Sequence, residues 1–130
     1  MNAIHLKLSM VRIRNHPEWL PGCTIELADA GARNMLAIKL LSPERQNGLT
    51  FQLQRWADKK EIARAPINVA AAVGDRFDIL LAWSASGVAI TINGDSFRPQ
   101  PLAWRVASVS LSGSTGECKF EPVEFGHAGA

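Results

Sequence analysis

No stretch of this chain approaches the roughly 20 consecutive apolar residues that a membrane helix needs, so no membrane insertion is expected. The first residues, MNAIHLKLSMVRIRNHPEW, alternate charged and apolar side chains and contain no uninterrupted apolar segment, which is unlike a signal peptide. The expectation is a chain that is cytoplasmic or exported by another route, with its compartment left open. Lysine and arginine are not dense enough for a nucleic-acid groove: the net charge is only +2, and the most basic stretch, Arg55 to Arg64, is interrupted by Asp58 and Glu61. Cysteine is scarce too. With only Cys23 and Cys118, a metal site would have to recruit His5, His16 or His127, and none stands at a ligand-like spacing to either thiol. Free thiols are the first expectation, a single bridge the second and a metal the third.

The motifs of several enzyme classes are also missing. There is no Gly-x-Ser-x-Gly elbow and no glycine-rich phosphate loop; Gly113-Ser114-Thr115-Gly116 is a turn of the wrong length. A retaining glycosidase needs two carboxyl groups about 5–5.5 Å apart, which positions i and i+2 of one strand can supply. The nearest pairs here, Asp75 with Asp78 and Glu121 with Glu124, are three apart, an offset that sends side chains to opposite faces of a regular strand. Asp75 suits a turn in which its carboxylate accepts a backbone N–H. No enzyme activity is the first expectation, with a small glycan hydrolase acting through strand-borne carboxylates such as Glu121 and Glu124 kept as a third reading.

What is present is a period of two. Phe77, Ile79, Leu81 and Trp83 alternate with polar or small residues, Ser84-Ala85-Ser86-Gly87 breaks the run, and Val88, Ile90 and Ile92 resume it up to Asn93-Gly94. Alternation of this kind buries one face of a sheet, and Asn-Gly tolerates the positive φ of a tight turn. Similar runs predict strands at His5–Arg12, Cys23–Leu27, Met35–Leu41, Leu49–Arg55, Glu61–Ala65, Arg76–Trp83, Val88–Ile92, Ala107–Ser112 and Cys118–Phe125. Between them lie turn clusters such as Pro21-Gly22, Asn47-Gly48 and Ser112 to Gly116. Asn68–Val73 reads as a connecting stretch. The 130 residues suffice for one domain with a real core, spanning about 5–125 and followed by a frayed tail from Gly126 to Ala130. The fold class expected is all-β, an antiparallel β-sandwich.

The run Gly74-Asp75-Arg76-Phe77-Asp78-Ile79, followed by Gly87-Val88-Ala89-Ile90-Thr91-Ile92-Asn93-Gly94, resembles the hairpin of concanavalin A-like jelly rolls, including laminin-G-type modules and galectins. Ala107–Gly113 resembles the strand those families place near the C-terminus, and the resemblance implies that Cys118–Phe125 pairs near the first strand. Against galectins it can be followed residue by residue. Their His-Asn-Pro-Arg strand falls near Lys39-Leu40-Leu41-Ser42-Pro43-Glu44, where only the proline survives. Trp56 lies where a stacking tryptophan would be sought, yet Ala57-Asp58-Lys59-Lys60-Glu61 follows it with the wrong spacing. The scaffold is similar; the galactoside site is not.

A sugar site needs an aromatic face with amides and hydroxyls around it. On Leu49–Trp56, Leu49, Phe51 and Leu53 point to the core, and Thr50, Gln52, Gln54 and Trp56 point the other way. The function expected is a non-catalytic, lectin-like module that binds a glycan or other small polar ligand. Its contacts would be Gln52, Gln54 and Trp56 on the sheet, with Arg98 and Trp104 on a rim loop. The alternative is a structural or protein-interaction domain of a larger surface or virion assembly, docking or self-associating through the Trp104 loop. Trp83 is assigned to the core and Trp19 to a plug at the sandwich end. His16 and His127 read as surface residues. Asp29, Asn34, Asn47 and Asp95 sit in or beside turns without forming a dense acidic loop, so no metal or cofactor is expected.

Overall fold

Phe77, Ile79, Leu81 and Trp83 all face a single interior, as their alternation requires, and each is less than a tenth exposed. They belong to a sandwich of two antiparallel sheets in a computed structural model that describes residues 2–14 and 18–126. The strands are β1 (Ala3–Ile13), β2 (Gly22–Ala28), β3 (Met35–Leu41), β4 (Gly48–Ala57), β5 (Lys60–Ala72), β6 (Phe77–Ser84), β7 (Gly87–Ile92), β8 (Asp95–Ser96), β9 (Ser108–Ser114) and β10 (Gly116–Gly126). The first sheet runs β10-β1-β6-β7-β8 and the second β5-β4-β3-β2-β9. Among the described residues there is no helix. The expected all-β sandwich is the observed fold, and β10 does pair with β1.

The core is a layer of aliphatic side chains between the sheets. Ile4, Leu6, Leu8 and Met10 of β1 meet Ile25 and Leu27 of β2, Leu36, Ile38 and Leu40 of β3, and Leu49, Phe51 and Leu53 of β4. Phe51 and Phe77, one from each sheet, stand edge-to-face with centroids 4.9 Å apart. Such a pair adds about 0.5–1.5 kcal/mol beyond its area burial.

Several expectations change. Cys23 and Cys118 form a disulfide rather than free thiols. Cys23 points inward from β2 and Cys118 from β10, so the bridge ties the two sheets where the β9–β10 turn brings their edges together. The stretch Asn68–Val73, expected as a connection, is mostly the end of β5. A register shift opposite Leu49–Phe51 lets the strand continue, and Pro66 is tolerated because β5 is an edge with one side unpaired. Trp19 is 58% exposed and plugs nothing. Glu121 and Glu124 share the outer face of β10 despite their odd offset, because the strand slips register between Leu6 and Leu8 of its partner. Gly126 ends β10; the rest of the expected frayed tail, with His16 and His127, lies outside the described residues.

The turns carry their own chemistry. Asn93 has φ 52° and its side-chain oxygen accepts from the Asp78 N–H, so this residue both turns the chain and caps the hairpin. Asp75 accepts from the Ala72 N–H, as expected of a turn carboxylate. Gly87 has φ 151°, and a Cβ there would clash with the Gln100 carbonyl oxygen. That close approach allows Val88 and Gln100 to exchange two backbone hydrogen bonds, which fix the loop after β8.

Two stability predictions follow from these ties. The disulfide closes a loop of sequence separation 95. Replacing both cysteines by alanine should therefore lower unfolding stability by about 2–5 kcal/mol in a urea titration. A change within a few tenths of a kcal/mol would show that the bridge constrains nothing. Gly87→Ala should cost about 1–3 kcal/mol, because it adds both a backbone penalty and a clash with Gln100. Unchanged stability would mean that the loop moves away freely.

Candidate functional site

The outer face of the second sheet follows from register alone. Reading across the strands from β9 to β5, one row is Ser110, Glu26, Ala37, Gln54 and Arg64. The neighbouring row on one side is Ser112, Thr24, Lys39, Gln52 and Pro66, and on the other Ser108, Ala28, Met35, Trp56 and Glu61. Gln52, Gln54 and Trp56 therefore share a face, as the alternation of β4 implies. The structure also brings Lys39, Glu61 and Arg64 to that face, which the sequence reading had not grouped with them. Cross-strand register was the missing signal: once β4 is placed between β3 and β5, the parity of Gln52 selects Lys39, and that of Gln54 selects Arg64.

The face is not a flat solvated layer. Gln54 is only 4% exposed and Ala37 is fully buried. Among the described residues the Gln54 Oε1 atom has no hydrogen-bond partner. Leaving a buried acceptor unpaired costs about 1–3 kcal/mol. Lys39, in the neighbouring row on β3, is half-buried, with its ammonium 5.4 Å from the centre of the Trp56 ring. Burial, followed by repulsion from Arg64, holds the Lys39 ammonium below the ordinary lysine pKa, while Glu61 and Glu26 oppose that shift. At the rim Arg64 grips Glu61 with two bonds of 2.7 and 2.9 Å, a bidentate pair that lowers the Glu61 pKa and raises that of Arg64. The formal charges of Glu26, Lys39, Glu61 and Arg64 cancel.

The outer face of the first sheet differs in this respect. Lys7 and His5 both reach Asp78, at 2.9 and 2.7 Å, and hold its carboxyl below the usual range, the Lys7 bond contributing most. Polar groups there satisfy one another. Of the residues considered for calcium, Asp29 and Asn34 are engaged locally: both carboxylate oxygens of Asp29 accept, from the N–H groups of Arg33 and Asn34 and from the Asn34 side chain.

Arg98 and Trp104 lie elsewhere, in two hollows that share no lining residue. Trp104 is half-buried and packs on the core beside Trp83 and Leu102, in a hollow of about 660 Å³. Arg98 is exposed and lines a lateral cleft of about 560 Å³ with Arg55 and Phe97. Of the polar face, Arg64 and Pro66 also line this cleft.

Comparison with known proteins adds the fold's relatives. No protein-family model matches the chain, and no curated protein matches it. Among solved structures it is similar to CG-16, a homodimeric agglutinin from chicken liver, with a TM-score of 0.64 over 95% of this chain and 89% of that one, at 12% identity. Sheep galectin-11 in complex with glycerol gives a TM-score of 0.61 over 94% of this chain and 86% of that one, at 8% identity. Carbohydrate-binding module CBM66 from Bacillus subtilis gives 0.59 over 94% and 72%, at 11% identity. At such identities the likeness speaks for architecture, and it is clear: the chain has the concanavalin A-like, galectin-like jelly-roll fold.

If the unpaired Gln54 oxygen is a standing cost, Gln54→Met should stabilise the unliganded protein, by about 1 kcal/mol or more in denaturant unfolding. A loss of stability would show that the amide is satisfied in solution.

Proposed function

We infer that the chain is a non-catalytic, lectin-like binding module whose outer β3–β4–β5 face takes a neutral glycan. The observation that carries this reading is the buried Oε1 of Gln54, unpaired among the described residues, on the same sheet face as the half-buried Lys39 ammonium. One asks for a donor and the other is a donor in want of an acceptor. A sugar hydroxyl accepts from an ammonium and donates to a carbonyl oxygen at once, which neither an apolar group nor a simple anion can do. Gln52 and Trp56 flank the pair and supply an amide and an indole ring. The charge balance of Glu26, Lys39, Glu61 and Arg64 favours a neutral polyol over a strongly charged ligand.

The architecture is compatible with such a role, since a galectin, an agglutinin and a carbohydrate-binding module share it. The galactoside residues expected of a galectin are missing at Lys39–Glu44, so the sugar recognised here is a different one. Of the paired carboxylates considered for hydrolysis, Glu121 is engaged with Lys119 at 2.8 Å. Asp78 is held by Lys7 and His5, so neither carboxylate stands free to act as acid or base. The disulfide suits an oxidising setting and supports a place of action outside a reducing cytosol.

A tryptophan-fluorescence titration with a panel of neutral oligosaccharides tests the reading. Trp56→Ala and Gln54→Met should each weaken the responding sugar by tenfold or more, equivalent to about 1.4 kcal/mol. A sugar whose affinity survives both substitutions, or a panel with no responder, would contradict it.

A further inference from the structure

The lateral side of the sandwich along β5 is incompletely closed. The inward row of this edge strand begins with Ala63 and Ala65, paired with Arg55 and Leu53 of β4. These small side chains stand where the interior would take larger ones, and both remain exposed although they point between the sheets. Opposite them the first sheet ends in the two-residue β8, and the chain beyond it spans the gap. The result is the cleft of about 560 Å³, within the size range of small-molecule sites. Its floor is apolar: Leu53 and Ile90 are 7% and 2% exposed, with Ile67 and Phe97 packed partly over them.

The mouth carries charge of one sign. Arg55 donates to the Pro101 carbonyl oxygen, which holds the spanning loop in place but leaves the guanidinium charge uncompensated. The Arg98 carbonyl accepts from the Gln100 side chain, but its guanidinium makes no hydrogen bond or ion pair among the described residues. Arg64, the remaining cation at the rim, is already neutralised by Glu61. None of the described residues lining the cleft is acidic. A guanidinium fork prefers a carboxylate, and attraction strengthens next to a low-dielectric wall. The loop is also pre-positioned, because Val88 and Gln100 lock it to β7, so a ligand would not have to order it.

We propose that this cleft binds a soluble carboxylate with an unbranched apolar tail, the tail lying over Leu53, Ile67 and Ile90 and the carboxylate meeting Arg98 with support from Arg55. The site adjoins the glycan face at Arg64 and Pro66, but the proposal does not depend on that reading.

The test is an NMR titration of the intact protein with octanoate and, in parallel, with octanol, which keeps the tail and loses the charge. Octanoate should bind saturably, at about millimolar affinity or better, and shift the Ile67 and Ile90 methyl signals. Octanol should bind at least about tenfold more weakly, and Arg98→Ala should weaken octanoate by a similar factor while leaving octanol unchanged. Ala65→Phe, which fills the hollow from an exposed position, should abolish both. Absence of saturable binding, equal affinities for acid and alcohol, or octanoate affinity indifferent to Arg98→Ala would each overturn the proposal. Circular dichroism confirms folding of the variants. Arg98→Ala alters only an exposed side chain and remains decisive if Ala65→Phe fails to fold.

Discussion

The chemistry of the second sheet depends on β4 keeping strict alternation while it is hydrogen-bonded on both sides. Leu49, Phe51 and Leu53 must fill the interior, so Thr50, Gln52 and Gln54 have no choice but the opposite face. With β3 and β5 on either flank, that face is crowded by Lys39, Trp56 and Arg64, and an amide that would be solvated on an edge strand is buried at the centre of a polar surface. The register that builds the core therefore also builds the unpaired acceptor. A slip of one residue would expose Leu53 and turn Gln54 into the aliphatic layer.

The two sheets handle polarity differently. On the first, Asp78 collects Lys7 and His5 and leaves little for a ligand to satisfy. On the second, among the described residues, only Glu61 and Arg64 close on each other; Lys39 is left against an indole and the Gln54 oxygen without a donor. Unsatisfied buried groups are tolerated where function compensates for their cost. The remaining irregularities, at the β5 edge and the loop after β8, open the interior laterally instead of completing it.

Much of the fold was legible because period two survives in nearly every strand and glycine, asparagine and proline punctuate the ends. Where reading failed, a non-local cause was at work. The continuation of β5 past Asn68 and the outer placement of both Glu121 and Glu124 come from register shifts, which leave no trace in a single strand's pattern. The Cys23–Cys118 bridge joins strands far apart in sequence, and two cysteines alone cannot announce a pairing. The face of Gln52, Gln54 and Trp56 was readable from β4 by itself. Its companions Lys39, Glu61 and Arg64 were not, since they arrive from neighbouring strands. Arg98 and Trp104 looked like one loop site in the sequence, but Val88–Gln100 pairing sends them into separate hollows.

The most direct measurement is the side-chain amide and indole N–H spectrum of the protein during titration with a binding oligosaccharide. The Gln54 and Trp56 signals should move together and saturate at one concentration, while the Trp83 and Trp104 indoles stay still. Shifts confined to Trp83 and Trp104, with Gln54 unmoved at saturation, would contradict a ligand site on the β3–β4–β5 face.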